Sequence, residues 1–151
     1  MTEITFHLNA QEKLDYSCRL IRKAYNAKAK VVVAGPSDLL SQLSALLWSL
    51  SSTDFIAHCH LDPAAESLSA AHSSYMLAAS PVVLTASILA IDKLPHHQVL
   101  LNFFEDVAPG FEKFERVIEI VGQAEPDKEM ARKRWRHYAQ RGYPIQKHDI
   151  Q

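Results

Sequence analysis

The chain has 151 residues, 48% hydrophobic and 22% charged, a size and composition that suit one domain with a buried core. Its formal net charge of −1 hides an asymmetry: residues 1–127 carry nine Lys and Arg against fifteen Asp and Glu, a balance of −6, while residues 128–151 carry seven against two, a balance of +5. That pattern excludes a uniformly basic nucleic-acid-binding domain and leaves an acidic body with a basic end.

The N-terminus begins Met1-Thr2-Glu3, with an acid where a signal peptide carries Lys or Arg and with no apolar h-region after it, so a cytoplasmic protein is expected. Thr2 to Leu8 alternates apolar and polar residues as a first strand does. Glu12 to Lys28 places Leu14, Cys18, Ile21 and Tyr25 at helical spacing, with Arg19, Arg22 and Lys23 turned outward. Val31 to Ala34 is a continuous apolar run ending in Gly35-Pro36, the pattern of a buried parallel strand and its turn. Ser37 is expected to cap a second helix, to which Leu39, Leu40, Leu43, Leu46, Leu47 and Leu50 give a broad apolar face, with Trp48 near its end. Strand, helix, strand, helix opens an α/β sheet.

Beyond Leu50 the pattern is less legible. Phe55-Ile56 fits a short strand, residues 62–75 a loop, and Pro81 to Ser87 another strand. No Asp, Glu, Lys or Arg lies between Glu66 and Asp92, which is long enough to span a bilayer, yet Pro81, His72 and six serines break it up and a membrane span is not expected. Val99 to Phe104 reads as a strand closed by Pro109-Gly110, and Phe114 to Val121 alternates once more. A terminal helix is expected over about 126–141, opened by Pro126 and Asp127 and stopped by Gly142. The fold class that follows is a single α/β domain over residues 1–151, with a mostly parallel central sheet, helices on both faces, and a Rossmann-like arrangement without a phosphate-binding loop.

That last clause rests on the turn Ala34-Gly35-Pro36-Ser37-Asp38. It has one glycine, a proline that removes a donor, an acid facing any phosphate, and no Lys-Ser/Thr pair. His58-Cys59-His60 puts two imidazoles on one side of an extended segment, and His96-His97 could complete a tetrahedral zinc shell, but no CxxC or HExxH spacing supports it against ordinary polar loop residues. The two cysteines, Cys18 and Cys59, are expected as free thiols in a reducing compartment. No serine stands in a G-x-S-x-G elbow. No catalytic residue, cofactor or metal is therefore assigned.

The informative segment is Lys128-Glu129-Met130-Ala131-Arg132-Lys133-Arg134-Trp135-Arg136-His137-Tyr138. On a helix Lys128, Arg132, Trp135 and Arg136 share one face, which combines cations with an indole. Such a face suits an acidic peptide ending in an aromatic residue. Other readings compete: cations complementing the helix macrodipole, a solvated charged face, aromatics packing on the sheet, or a single-stranded DNA site in which Trp135 stacks on a base.

Phe6 in the first strand, Leu47-Trp48 followed by Phe55-Ile56-Ala57-His58, the late Val99-Leu100-Leu101-Asn102, and the closing Ala131-Arg132-x-Arg134-Trp135-Arg136-x-Tyr138 with Gly142-Tyr143 together resemble the chi subunit of bacterial DNA polymerase III holoenzyme. The resemblance covers essentially the whole chain. It implies an adaptor associated with the clamp loader in DNA replication, non-catalytic itself within a DNA-directed DNA polymerase. One surface would bind the psi subunit where one exists, or an iron–sulfur helicase in its place. Another would bind the C-terminal tail of single-stranded DNA-binding protein, an acidic peptide ending in Pro-Phe, so that DNA is met mainly indirectly. By the same resemblance the tail site involves Lys128, Arg132, Trp135 and Arg136, with Val121 lining the pocket for the terminal ring. The family also places Tyr where Trp135 stands, Lys where Arg136 stands, and often proline where Ala57 stands.

Overall fold

The computed structural model describes residues 2–49, 58–61, 82–85, 97–108 and 110–150, the backbone alone for 48, 49 and 58–61. In chain order the elements are β1 (Glu3–Ala10), α1 (Lys13–Asn26), β2 (Val31–Ala34), α2 (Ser37–Ser49), β3 (His58–Leu61), β4 (Val82–Thr85), β5 (Val99–Asn102), a 3₁₀ turn (Phe111–Lys113), β6 (Arg116–Gly122), α3 (Glu125–Gln140) and β7 (Ile145–Asp149). The strands form one seven-stranded sheet in the order β3-β4-β2-β5-β6-β1-β7. Every described pairing is parallel, so the mostly parallel sheet expected from sequence is parallel throughout these residues.

Alternation along the strands builds two cores. Val31, Val33, Val82, Leu84, Leu101, Ile118 and Ile120 point to one face and meet Cys18 and Ile21 of α1 and Leu40, Leu43 and Leu47 of α2. Val32, Ala34, Val83, Leu100, Val117, Ile4 and Phe6 point to the other and meet Ala131 and Tyr138 of α3 together with Ala108, Phe111 and Phe114. The central strands are thus apolar on both faces, as a parallel sheet covered by helices requires. Cys18 is free and buried, and burial pushes its thiol up to about 11.

Several expected boundaries shift. α1 ends at Asn26 because Lys28 turns left-handed at φ 63°. Ser37 is the first helical residue of α2 and not its cap: the Leu40 N–H donates to the Pro36 carbonyl at 3.0 Å, which makes Pro36, with no N–H to satisfy, the capping position. α3 runs one residue earlier at each end than expected. Gly142, at φ 79°, and Tyr143 close it by donating to the Ala139 and Tyr138 carbonyls, the paired bonds of a Schellman turn. β7 was not expected at all. The readings at Phe55-Ile56 and 62–75 fall outside the described residues, and the neighbouring strand that is seen begins at His58.

Doubly wound sheets bind ligands where chains leaving adjacent strands go to opposite faces. Here one such crevice lies between the ends of β2 and β5, since α2 follows β2 on one face and the Ala108–Phe114 segment follows β5 on the other. It is filled: the Phe103 N–H donates to the Ala34 carbonyl at 2.7 Å, and a Cβ on Gly35 would lie 2.8 Å from the Phe103 Cβ. Gly35→Ala is therefore expected to destabilise by about 1–3 kcal/mol in urea unfolding, as overpacking does. An unchanged midpoint would show that Phe103 is not wedged there.

One strand in from the sheet's edge, His7 of β1 is bonded through Nδ1 to the Tyr16 hydroxyl of α1, and its ring lies 5.1 Å from that of its β7 register partner His148. Burial first, then the charges of His148, Arg116 and Lys23, lower the His7 pKa from 6.5 to about 4. The unfolded chain binds the proton more readily, so this histidine's contribution is complete above pH 6.5 and declines as pH falls towards 4. His7→Gln should flatten that part of the urea-midpoint profile. A variant profile parallel to the parent's would reject the assignment.

Candidate peptide-binding site

The crossover from β6 through α3 to β7 passes over β1, which lies between the two strands. α3 therefore sits above Phe6, and a cavity of about 490 Å³ opens between the helix and the carboxyl ends of β1, β6 and β7. Its apolar lining is Phe6, Leu8, Val121, Ala131 and Trp135, and its polar lining is Asn9, Lys128, Arg132, Arg136 and Lys147, with Gly122 completing the wall. Among the described residues no acidic side chain lines it. The volume lies in the range of pockets that enclose a ring and a few neighbouring groups.

All five residues singled out from sequence, Val121, Lys128, Arg132, Trp135 and Arg136, are brought together here. The helical face supplies four, and β6 supplies Val121 from beneath. Trp135 is half-buried, its ring centroid 4.9 Å from that of Phe6 at a 46° tilt. Arg132 and Arg136 are exposed and make no ion pair among the described residues, whereas Lys128 touches Glu125 only at 4.0 Å. The cations at the rim are thus largely uncommitted, and a carboxylate arriving there meets charge that, among the described residues, only Glu125 approaches.

Sequence reasoning missed Lys147. It comes from β7, whose run Ile145-Gln146-Lys147-His148-Asp149 is too polar to announce a strand, and its Nζ lies 5.6 Å over the Trp135 ring. Asn9 was also missed. It has a left-handed φ of 67° within a register shift between His7 and Ala10, a local kink that places its side chain at the pocket.

Two features hold α3 in place. Near its start Asp127 leaves the helix end uncapped and instead accepts the Gly122 N–H at 2.6 Å and the Lys13 ammonium at 3.2 Å. Lower down, Glu119 is fully buried on the same face of β6 as Val117 and Val121. Its carboxylate accepts from Arg134 Nε at 2.9 Å, Tyr138 Oη at 2.7 Å and Asn102 Nδ2 at 3.1 Å. Arg134 also donates through Nη1 to the Glu105 carbonyl at 2.9 Å. So Arg134, one cation in the basic run, faces inward and belongs to the scaffold, not to the pocket. Burial raises the Glu119 pKa, and the Arg134 charge and the three donors pull it back down.

β3 stands three strand positions from β5, roughly 14 Å at about 4.8 Å per strand, and His97, just before β5, packs edge-on against Phe114 at 5.1 Å. The backbone that carries His58 and His60 is therefore separated from His97 by two intervening strands, and His96 lies outside the described residues. Among the described residues no group of three or more His, Cys, Asp or Glu is placed to hold a metal, and no helix is long and apolar enough to cross a membrane.

A model of the family described as DNA polymerase III chi subunit, HolC, matches residues 1–146. The chain belongs to the DNA polymerase III chi subunit family. It is 29% identical over 158 residues to DNA polymerase III subunit chi of Pseudomonas aeruginosa, an alignment that covers 99% of this chain and 98% of the relative. Membership in the chi family makes the chain a subunit of a DNA replication polymerase.

Proposed function

We propose that this chi-family subunit is a non-catalytic cytoplasmic adaptor whose pocket under α3 captures the acidic, Pro-Phe-terminated tail of single-stranded DNA-binding protein. The observation that carries this reading is the pairing of an apolar floor with four cations, Lys128, Arg132, Arg136 and Lys147, and, among the described residues, no acid. The terminal ring enters between Val121, Phe6 and Trp135, while the rim cations take the tail's carboxylates. The acidic body repels DNA phosphate and the basic end attracts a tail already held on DNA, so the subunit meets DNA through its partner. A different surface joins it to the psi subunit where that is present, or to an iron–sulfur helicase in its place.

A single-stranded nucleic-acid site is less well supported by the same geometry. Lys147 over the Trp135 ring and Phe6 against it compete with any stacking base. The test is titration with a fluorescent acidic peptide ending in Pro-Phe, beside one lacking the final phenylalanine. Binding that weakens with added salt and vanishes with that residue is the expected result. Binding to neither peptide, with tight binding to a bare oligonucleotide, would reverse the assignment.

A further inference from the structure

We infer that β7 is itself part of the docking surface: the residues of the bound acidic peptide that precede its terminal ring add to the free edge of β7 as a further parallel strand. This rests on the proposal that the pocket takes the end of such a peptide.

Among the described residues β7 closes one end of the sheet and pairs with β1 alone. The ladder shows which backbone groups are committed. Ile4 N–H donates to the Pro144 carbonyl at 3.0 Å, and Ile150 N–H donates to the Leu8 carbonyl at 2.9 Å. In a parallel pair the residues turned towards the neighbour alternate, so Gln146 and His148 also face β1, whereas the N–H and C=O groups of Ile145, Lys147 and Asp149 face outward. Among the described residues nothing hydrogen-bonds those outward groups. Gln146 to Asp149 are exposed.

The edge is continuous with the pocket through one residue. The Lys147 side chain lines the cavity and lies over Trp135, while its own peptide groups point away from β1 towards the open edge. A peptide whose last ring lies beneath α3 crosses the strand at Lys147. The residues before that ring then lie beside Ile145 and Lys147, within reach of their outward carbonyl and amide, as strand addition requires.

Charge selects the occupant. A second copy of this chain, paired two-fold and antiparallel about the middle of β7, would set Lys147 opposite Lys147 of that copy, which like charges disfavour. An acidic strand sets carboxylates beside the same ammonium. The one acid of β7, Asp149, is held by the Asn9 side-chain amide at 2.6 Å. Lysine at the centre of an edge therefore closes it to its own kind and leaves it open to an acidic chain.

The experiment uses the full chain and three acidic Pro-Phe-terminated peptides: unmodified, and two N-methylated at alternate backbone amides before the proline. Strand addition has a period of two residues, so one methylated peptide should bind roughly tenfold or more weakly and the other nearly as well as the parent. Amide exchange at Ile145, Lys147 and Asp149 should slow on binding of the unmodified peptide, with Gln146 and His148, already bonded to β1, changed much less. Equal binding of all three peptides, with unchanged exchange at those amides, would overturn strand addition and leave the pocket intact. Failure of the unmodified peptide to bind would remove the pocket reading and this inference with it.

Discussion

Arg134→Met is expected to destabilise the fold by about 3–5 kcal/mol, because it strands a buried carboxylate rather than merely deleting a contact. Glu119 is fully buried and the Arg134 side chain is only 5% exposed, so no water takes over the lost charge. For a chain of this length the melting temperature should fall by roughly 10 °C. The loss should depend on pH in a defined direction. Without the cation, burial holds the Glu119 pKa further above its ordinary 4.5. A carboxyl whose folded pKa exceeds its unfolded one costs stability as pH rises between the two, so the variant should be closer to wild type at pH 5 than at pH 8. Adding Glu119→Leu should recover part of the loss, since the stranded charge is removed, while Tyr138 Oη and Asn102 Nδ2 lose the acceptor they share. A single variant that melts within a degree or two of wild type would contradict the burial of the pair.

That network marks where sequence reading succeeds and stops. The strands β2, β4 and β5 are runs of Val and Leu that can be buried on both faces, and they were readable because nothing polar interrupts them. β6 is readable too from the alternation over Phe114 to Val121, but that alternation alone does not tell that Glu119 is buried. Only the parity of Val117, Glu119 and Val121, set beside Arg134 and Tyr138 four apart on the inner side of α3, reveals an acid facing the helix. β7 was invisible for the opposite reason. An edge strand with one polar residue after another carries no hydrophobic period, and its place is set by the turn at Gly142 and by pairing with β1.

The pocket follows the same division. Its helical half was legible because Lys128, Arg132, Trp135 and Arg136 lie within one short helical segment whose geometry is fixed by 3.6-residue periodicity. Its strand half was not. Phe6, Leu8, Asn9 and Lys147 come from segments up to 141 positions apart in the chain, and only the crossover of α3 over β1 puts them together. The charge asymmetry of the sequence also acquires a spatial meaning. Residues near the C-terminus supply all four pocket cations, so the positive charge of the last 24 residues is concentrated where a ligand enters.

Reversing one of those charges should separate binding from folding. Arg132 is exposed, lines the cavity, and has no acidic partner among the described residues, so Arg132→Glu removes nothing the fold uses. Its neighbours one turn away are Lys128, Arg136 and Glu129, and the relief of repulsion with the two cations offsets the new repulsion with Glu129, so the melting temperature should stay within a degree or two. Affinity for the acidic Pro-Phe peptide should fall by about tenfold to a hundredfold, the range for losing a charge-assisted hydrogen bond. The remaining binding should be less sensitive to salt. A peptide with lysine in place of its acidic residue nearest the ring should regain part of the loss with the variant and bind poorly to the wild type. If the variant takes the unmodified acidic peptide as tightly as wild type, Arg132 is a solvated surface charge and the tail lies elsewhere.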